Sequence, residues 1–155
     1  MVGVPVDPLA RSHAFALARR LVGLIPPGTA EQAVARAEAA YRSQDLSQIM
    51  PLLHPDIVIY WNGVKVAEGL DQARQFHTNS LGFGRTTRHD YLLHKTLRAA
   101  DGDTICVEWT SSYRTDDGRT VRGAAGEFWT MRYGLLIEWR AYYRRLEDET
   151  ERSQQ

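Results

Sequence analysis

The order of patterns along the chain predicts an α+β domain: helices packed on one face of a curved antiparallel sheet. Segments of helical period dominate the first half. From His89 onward the chain reads as four long extended segments, separated by the turn signals Asp101-Gly102, Asp116-Asp117-Gly118 and Arg132-Tyr133-Gly134. At 155 residues and 43% hydrophobic content the chain fits one domain, which buries roughly 68–70% of its unfolded surface and needs no disulfide or metal staple.

Asp7 and Pro8 form a cap and first-turn pair, and Ala10, Ala14, Leu17, Leu21 and Leu24 follow at steps of four and three. This predicts a helical extension within residues 1–28 that stops before Pro26-Pro27-Gly28. Thr29 with Gln32 has the spacing of a capping box, and Ala30, Val34, Ala37 and Tyr41 give the helix behind it an inward face. A third, short helix runs from about Leu46 to Leu53 and closes on His54-Pro55. The period then changes to two at Ile57-Val58-Ile59-Tyr60-Trp61, Asn62-Gly63 is a hairpin turn, and Val64 to Val66 return. Gly69 leads a further helix with Leu70, Ala73, Phe76 and His77 on or near one face. The main domain spans residues 29–145, and residues 146–155 read as a charged tail.

Nineteen basic residues balance nineteen acidic ones, so no net field draws nucleic acid or membrane, and the aromatics are not interleaved with a basic patch. The lone Cys106, inside DTICVEW, reads as a packed strand residue and points weakly to a reducing compartment. The N-terminus has no basic region followed by an uninterrupted apolar core, and no run reaches the ~18 apolar residues of a membrane span. A cytoplasmic globular protein is the expectation. The five histidines show no metal-ligand spacing, and no nucleophile elbow, phosphate loop or dinucleotide fingerprint occurs. Neither metal nor cofactor is therefore expected.

The stretches LLHPDIVIYWNGVKVAEGLDQARQF and GLLIEWRAYY, in this order and with these helices, resemble the SnoaL-like branch of the nuclear transport factor 2-like superfamily. The resemblance covers about residues 29–145. It implies a cone: a sheet curled around a pocket that the helices cover, commonly in a homodimer built on the outer sheet face. Members include polyketide cyclases, ketosteroid isomerases and limonene epoxide hydrolases. The hydrolase pattern implies a Tyr-x-Asn pair, met here by Tyr60 and Asn62, but its charged positions hold Trp109, Ser111 and Ala141. The isomerase pattern implies a carboxylate on the strand IVIYWNG, which has none, and a helix tyrosine, from which Tyr41 stands about one turn away.

Strand alternation says what replaces those groups. If Trp109 and Ser111 point inward, so do Val107 and Tyr113, while Cys106 and Glu108 point outward. The same register turns Gly123, Ala125, Glu127 and Trp129 inward, beside Trp139, Ala141 and Tyr143. The expected pocket is aromatic, with Trp109, Ser111, Tyr113, Trp129, Trp139 and Tyr143 against substrate, Glu127 as its acid, and Tyr60, Asn62 and His77 as polar neighbours. A carboxyl group ringed by tryptophans is desolvated and can both give and take a proton near neutrality. Glu127 is then either the acid/base of an enzyme that isomerises, cyclises, dehydrates or hydrolyses a small apolar or aromatic molecule, or half of a buried ion pair with an arginine such as Arg122 or Arg140. In the second case the cone is a non-catalytic binding or dimeric interaction module.

Overall fold

The computed structural model describes residues 29–82 and 89–146, so the helix expected within residues 1–28 and the tail beyond Leu146 lie outside the described residues. Helix α1 (Ala30–Ser43) starts on the expected capping box: Gln32 N donates to Thr29 Oγ1 at 3.3 Å and Thr29 N donates to Gln32 Oε1 at 3.2 Å. Two of the helix's otherwise unpaired N–H groups are thus satisfied reciprocally. Its inner stripe, Val34, Ala37 and Ala40, is buried. Helix α2 (Leu46–Ile49) is capped by Asp45 and passes through a 3₁₀ turn (Met50–Leu52) into strand β1 (Leu53–Trp61).

The third predicted helix is therefore shorter than expected, and β1 begins four residues before Ile57. Pro55 is accommodated because the β1 register is irregular between Leu53 and Val58, where a missing N–H breaks no ladder bond. Asn62 and Gly63, at φ 50° and 83°, make the two-residue turn to β2 (Val64–Glu68). Both positive angles match the right-handed twist of the flanking strands. Helix α3 (Gly69–Asn79) follows, then the meander β3 (His89–Asp101), β4 (Thr104–Arg114), β5 (Thr120–Arg132) and β6 (Leu135–Leu146).

The six strands form one sheet in the order β2-β1-β6-β5-β4-β3. The expectation of an antiparallel sheet is corrected here, because β1 runs parallel to β6, with Ile59 opposite Trp139, and the sheet is mixed. Hairpin signals reveal only the pairing of strands adjacent in sequence. The direction of β1 against β6 depends on how the first hairpin docks at the far end of the meander. The sheet curls around α1 and α3 without closing into a barrel, and the core gathers on its concave side from Val34, Ile49, Ile57, Ile59, Phe76, Val107 and Trp139. Removing side chains such as Ile57 and Ile59 from water contributes about 1.5–3 kcal/mol each.

Candidate active site

Alternation sends every second residue of β3, β4, β5 and β6 to the concave side, and there they line a cavity of about 360 Å³. Its walls are aromatic: Tyr41 from α1, Trp61 from β1, Phe76 from α3, Trp109 and Tyr113 from β4, and Trp139 and Tyr143 from β6. Two charged residues also line it, Lys95 from β3 and Glu127 from β5, each with 1% of its side chain exposed. Lys95 sits opposite Trp109 in the β3–β4 register, and Glu127 sits opposite Val107 on β4 and Ala141 on β6. The two side chains therefore reach each other across β4.

Lys95 Nζ donates to Glu127 Oε2 at 2.9 Å, Trp129 Nε1 donates to the same oxygen at 2.9 Å, and Trp109 Nε1 donates to Oε1 at 2.5 Å. Rings enclose the ammonium as well, with centroids of Tyr41, Trp129 and Trp109 at 4.7, 5.0 and 5.6 Å from Nζ. A buried ion pair of this kind costs several kcal/mol per ion in desolvation, and only a nearly complete set of hydrogen bonds and cation–π contacts offsets it. The arginine expected as partner of Glu127 is replaced by a lysine: Arg140 lies on the other side of its strand, paired with Glu138.

His77, fully buried, stands behind the wall rather than in it. Its Nδ1 is 2.7 Å from the Ala73 carbonyl oxygen and its Nε2 is 3.1 Å from the Tyr41 hydroxyl. A carbonyl only accepts, so Nδ1 carries the proton. Burial lowers the His77 pKa from 6.5 to about 4, despite the Ala73 bond that favours the charged form. The ring is thus neutral at pH 7, Nε2 accepts, and the Tyr41 hydroxyl donates to it. Burial, the Glu127 carboxylate and Tyr91 raise the Tyr41 pKa well above 10, which keeps that hydroxyl protonated.

Of the residues singled out in the sequence, Glu127, Trp109, Ser111, Tyr113, Trp139 and Tyr143 line this cavity. Trp129 packs behind Glu127 and lines a separate cavity of about 240 Å³. Tyr60 and Asn62 are corrections. Tyr60 follows the buried Ile59, so the period of two turns it to the outer face, where the Arg140 guanidinium lies 3.9 Å from its ring centroid. Asn62 is spent on the turn: its N–H donates to the Ala141 carbonyl and its Oδ1 accepts from Tyr143 N, both at 2.8 Å.

Lys95 is the residue that sequence reasoning missed. Its signal was present: it lies two positions beyond Leu93 in HDYLLHKTL, so any register that buries Leu93 buries Lys95. Among the described residues no group of three or more His, Cys, Asp or Glu could hold a metal ion, and no helix is long and apolar enough to cross a membrane.

Comparison with known proteins agrees with this geometry. Among solved structures, TerC co-crystallised with polyporic acid superposes with a TM-score of 0.58 at 20% identity, covering 80% of this chain and 95% of TerC. A proposed polyketide cyclase from Pseudomonas putida gives 0.58 at 24% identity, over 76% of this chain and 92% of its own. AclR, a proposed hydroxylase from Streptomyces galilaeus, gives 0.60 at 18% identity, over 75% and 77%. At such identities these likenesses speak for the fold alone. No curated protein matches the chain. The model of the SnoaL-like domain matches residues 34–139, which take in most of α1, the charged pair and most of the cavity wall. The chain thus belongs to the SnoaL-like family, within the nuclear transport factor 2-like superfamily.

Proposed function

We propose that the cavity is the active site of an enzyme that moves a proton on a small apolar or aromatic substrate, in an isomerisation, cyclisation, dehydration or hydrolysis. One observation carries the reading: a carboxylate and an ammonium, both withdrawn from bulk water, line a cavity whose other walls are mostly aromatic. In such surroundings each charge acts with little screening, and a developing anion on the substrate meets a fixed positive charge instead of water that must reorganise. Glu127 is the acid/base in this scheme, and Lys95, its ion-pair partner at 2.9 Å, stabilises the negative charge that proton removal leaves on the substrate. The structural neighbours, among them a proposed polyketide cyclase and a protein crystallised with polyporic acid, support a small organic occupant.

A second reading, a binding module without chemistry, is favoured by the three donors that already engage both oxygens of Glu127. Solvent deuterium exchange separates the two. Aryl ketones and lactones incubated with the protein in D₂O are followed by NMR for deuterium uptake beside the carbonyl, which reports proton abstraction without knowledge of the product. The enzyme reading expects uptake that falls by about 10²-fold or more in Glu127→Gln, the size of a lost general base. Uptake unchanged in that variant, or absent with every compound while the same compounds bind, would establish the binding module instead.

A further inference from the structure

The smaller cavity, of about 240 Å³, lies toward the N-terminal end of α1. Its apolar wall is made by Ala30 and Ala33 from α1 together with Leu52, Trp129, Met131 and Leu136. Four of these, Ala30, Ala33, Leu52 and Met131, are only partly buried. The volume falls below the roughly 300–1,000 Å³ of sites that enclose a drug-sized molecule, and it suits a few apolar side chains. Thr29, the first residue that the structure describes, also lines this cavity, so residues 1–28 join the described chain at its rim.

Those residues carry the predicted helical stripe Ala10, Ala14, Leu17, Leu21 and Leu24, an apolar face that needs a surface to cover it. Leu24 stands five residues before Thr29, and at ~3.6 Å per residue it cannot lie more than about 18 Å from it. A tether this short holds the leucines at an effective concentration in the millimolar range, above that of a dissolved partner of the same chemistry. We propose that the segment 1–28 docks the Leu21–Leu24 end of its stripe into this cavity of its own chain. A leucine seated there packs on Trp129, whose Nε1 donates to Glu127 Oε2 at 2.9 Å, so the segment braces the buried charged pair from behind.

Limited trypsin digestion of the full chain, followed by mass spectrometry, tests the docking through the cuts after Arg19 and Arg20, which lie between Leu17 and Leu21. A docked segment is cut only when it opens, so the rate reports the open population. Leu21→Gln/Leu24→Gln removes the apolar contact but keeps good helix formers. Ala33→Glu changes the wall instead, placing a carboxylate near the start of α1, where the helix dipole favours it. Each variant is expected to raise the rate of these cuts at least about tenfold over the wild type. Cutting after the exposed Arg119, in the turn between β4 and β5, is expected to stay unchanged and reports the domain itself.

Wild-type cutting as fast as in Leu21→Gln/Leu24→Gln overturns the proposal and leaves the cavity to another occupant. A rate raised by that variant but not by Ala33→Glu overturns it too, because the segment then docks elsewhere. Protection is expected to hold over a roughly 100-fold range of protein concentration, and protection lost on dilution would assign the segment to a second copy. Should Ala33→Glu also quicken the cut after Arg119, Met131→Gln, nearly the same in shape and partly buried on the same wall, takes its place. The digestion involves neither ligand nor turnover, so its result is independent of the reading of the larger cavity as an active site.

Discussion

Removing one member of the Lys95–Glu127 pair is expected to cost far more than removing both. In Lys95→Met the carboxylate loses the ammonium 2.9 Å from Oε2 and keeps only two indole N–H donors, in a site where each side chain is 1% exposed. An uncompensated buried charge of this kind costs about 3–5 kcal/mol. At roughly 2–4 °C per kcal/mol for a domain of this size, the melting temperature should fall by about 10 °C. Glu127→Gln strands the ammonium and should cost a similar amount. The double variant Lys95→Met/Glu127→Gln buries no ion, so it should recover a coupling energy of about 2 kcal/mol or more relative to the summed single losses. Urea unfolding of the four proteins at pH 7 measures all these quantities. A loss under about 1 kcal/mol in Lys95→Met, or single losses that add to within about 0.5 kcal/mol, would refute the account of the pair as mutually dependent buried charges. The same measurements set the temperature at which Glu127→Gln remains folded for the deuterium-exchange assay.

Acid should destabilise the fold through His77. Its folded pKa of about 4 lies below the ordinary 6.5, so between those pH values the unfolded state binds the proton and the folded state does not. Stability from this residue is complete above pH 6.5, falls through the window, and is lost by about pH 4, a total of ~3 kcal/mol at 1.36 kcal/mol per tenfold change in proton affinity. Comparing urea midpoints of the wild type and His77→Gln across that range isolates the histidine from the carboxylates, and parallel curves would rule the effect out. Gly123→Ala tests the cavity wall: a Cβ there would stand 2.5 Å from Tyr143 Cε2 and 2.8 Å from its hydroxyl, at the movable end of that side chain. The ring should give way at a cost of about 1 kcal/mol, with the affinity of any aryl ketone that binds the wild type changed several-fold, and unaltered affinity would remove Tyr143 from the binding wall.

Local signals carried most of the fold. The Thr29–Gln32 box, the Asn62-Gly63 turn and the three meander turns depend on residues within a few positions of one another, and each stands where the sequence placed it. The inward set from Val107 to Tyr143 was legible for the same reason, since one correct assignment fixes a whole face of period two. Long-range relations failed. That β1 lies parallel to β6, and that Glu127 meets Lys95 rather than an arginine, are consequences of which strands become neighbours. Tyr60 and Asn62 misled because the family pattern names residue types and leaves their phase on the strand open. With Ile57 and Ile59 buried at 0% exposure, Trp61 rather than Tyr60 faces the cavity. The donor on Tyr41 was invisible because its direction is decided by a histidine in another helix, 36 residues away in sequence.

The parallel contact between β1 and β6 also sets a timetable. Ile59 pairs with Trp139, about 80 residues later in the chain, and among the described residues β6 is the only strand that joins the β1–β2 hairpin to the meander. The edge of the first hairpin that faces β6 must therefore wait, unpaired, until the last strand has been synthesised. Contacts of such sequence separation make folding slow, because the chain between them must be closed before anything is gained. The meander has no such delay, since each of its strands pairs with the one before it. Nascent chains that stop before β6 would leave that edge of β1 with unpaired N–H and C=O groups, an opening for aggregation in this interval. The cavity inherits the same order of events: Trp139 and Tyr143 lie on β6, so its wall is complete only when the final strand is in place.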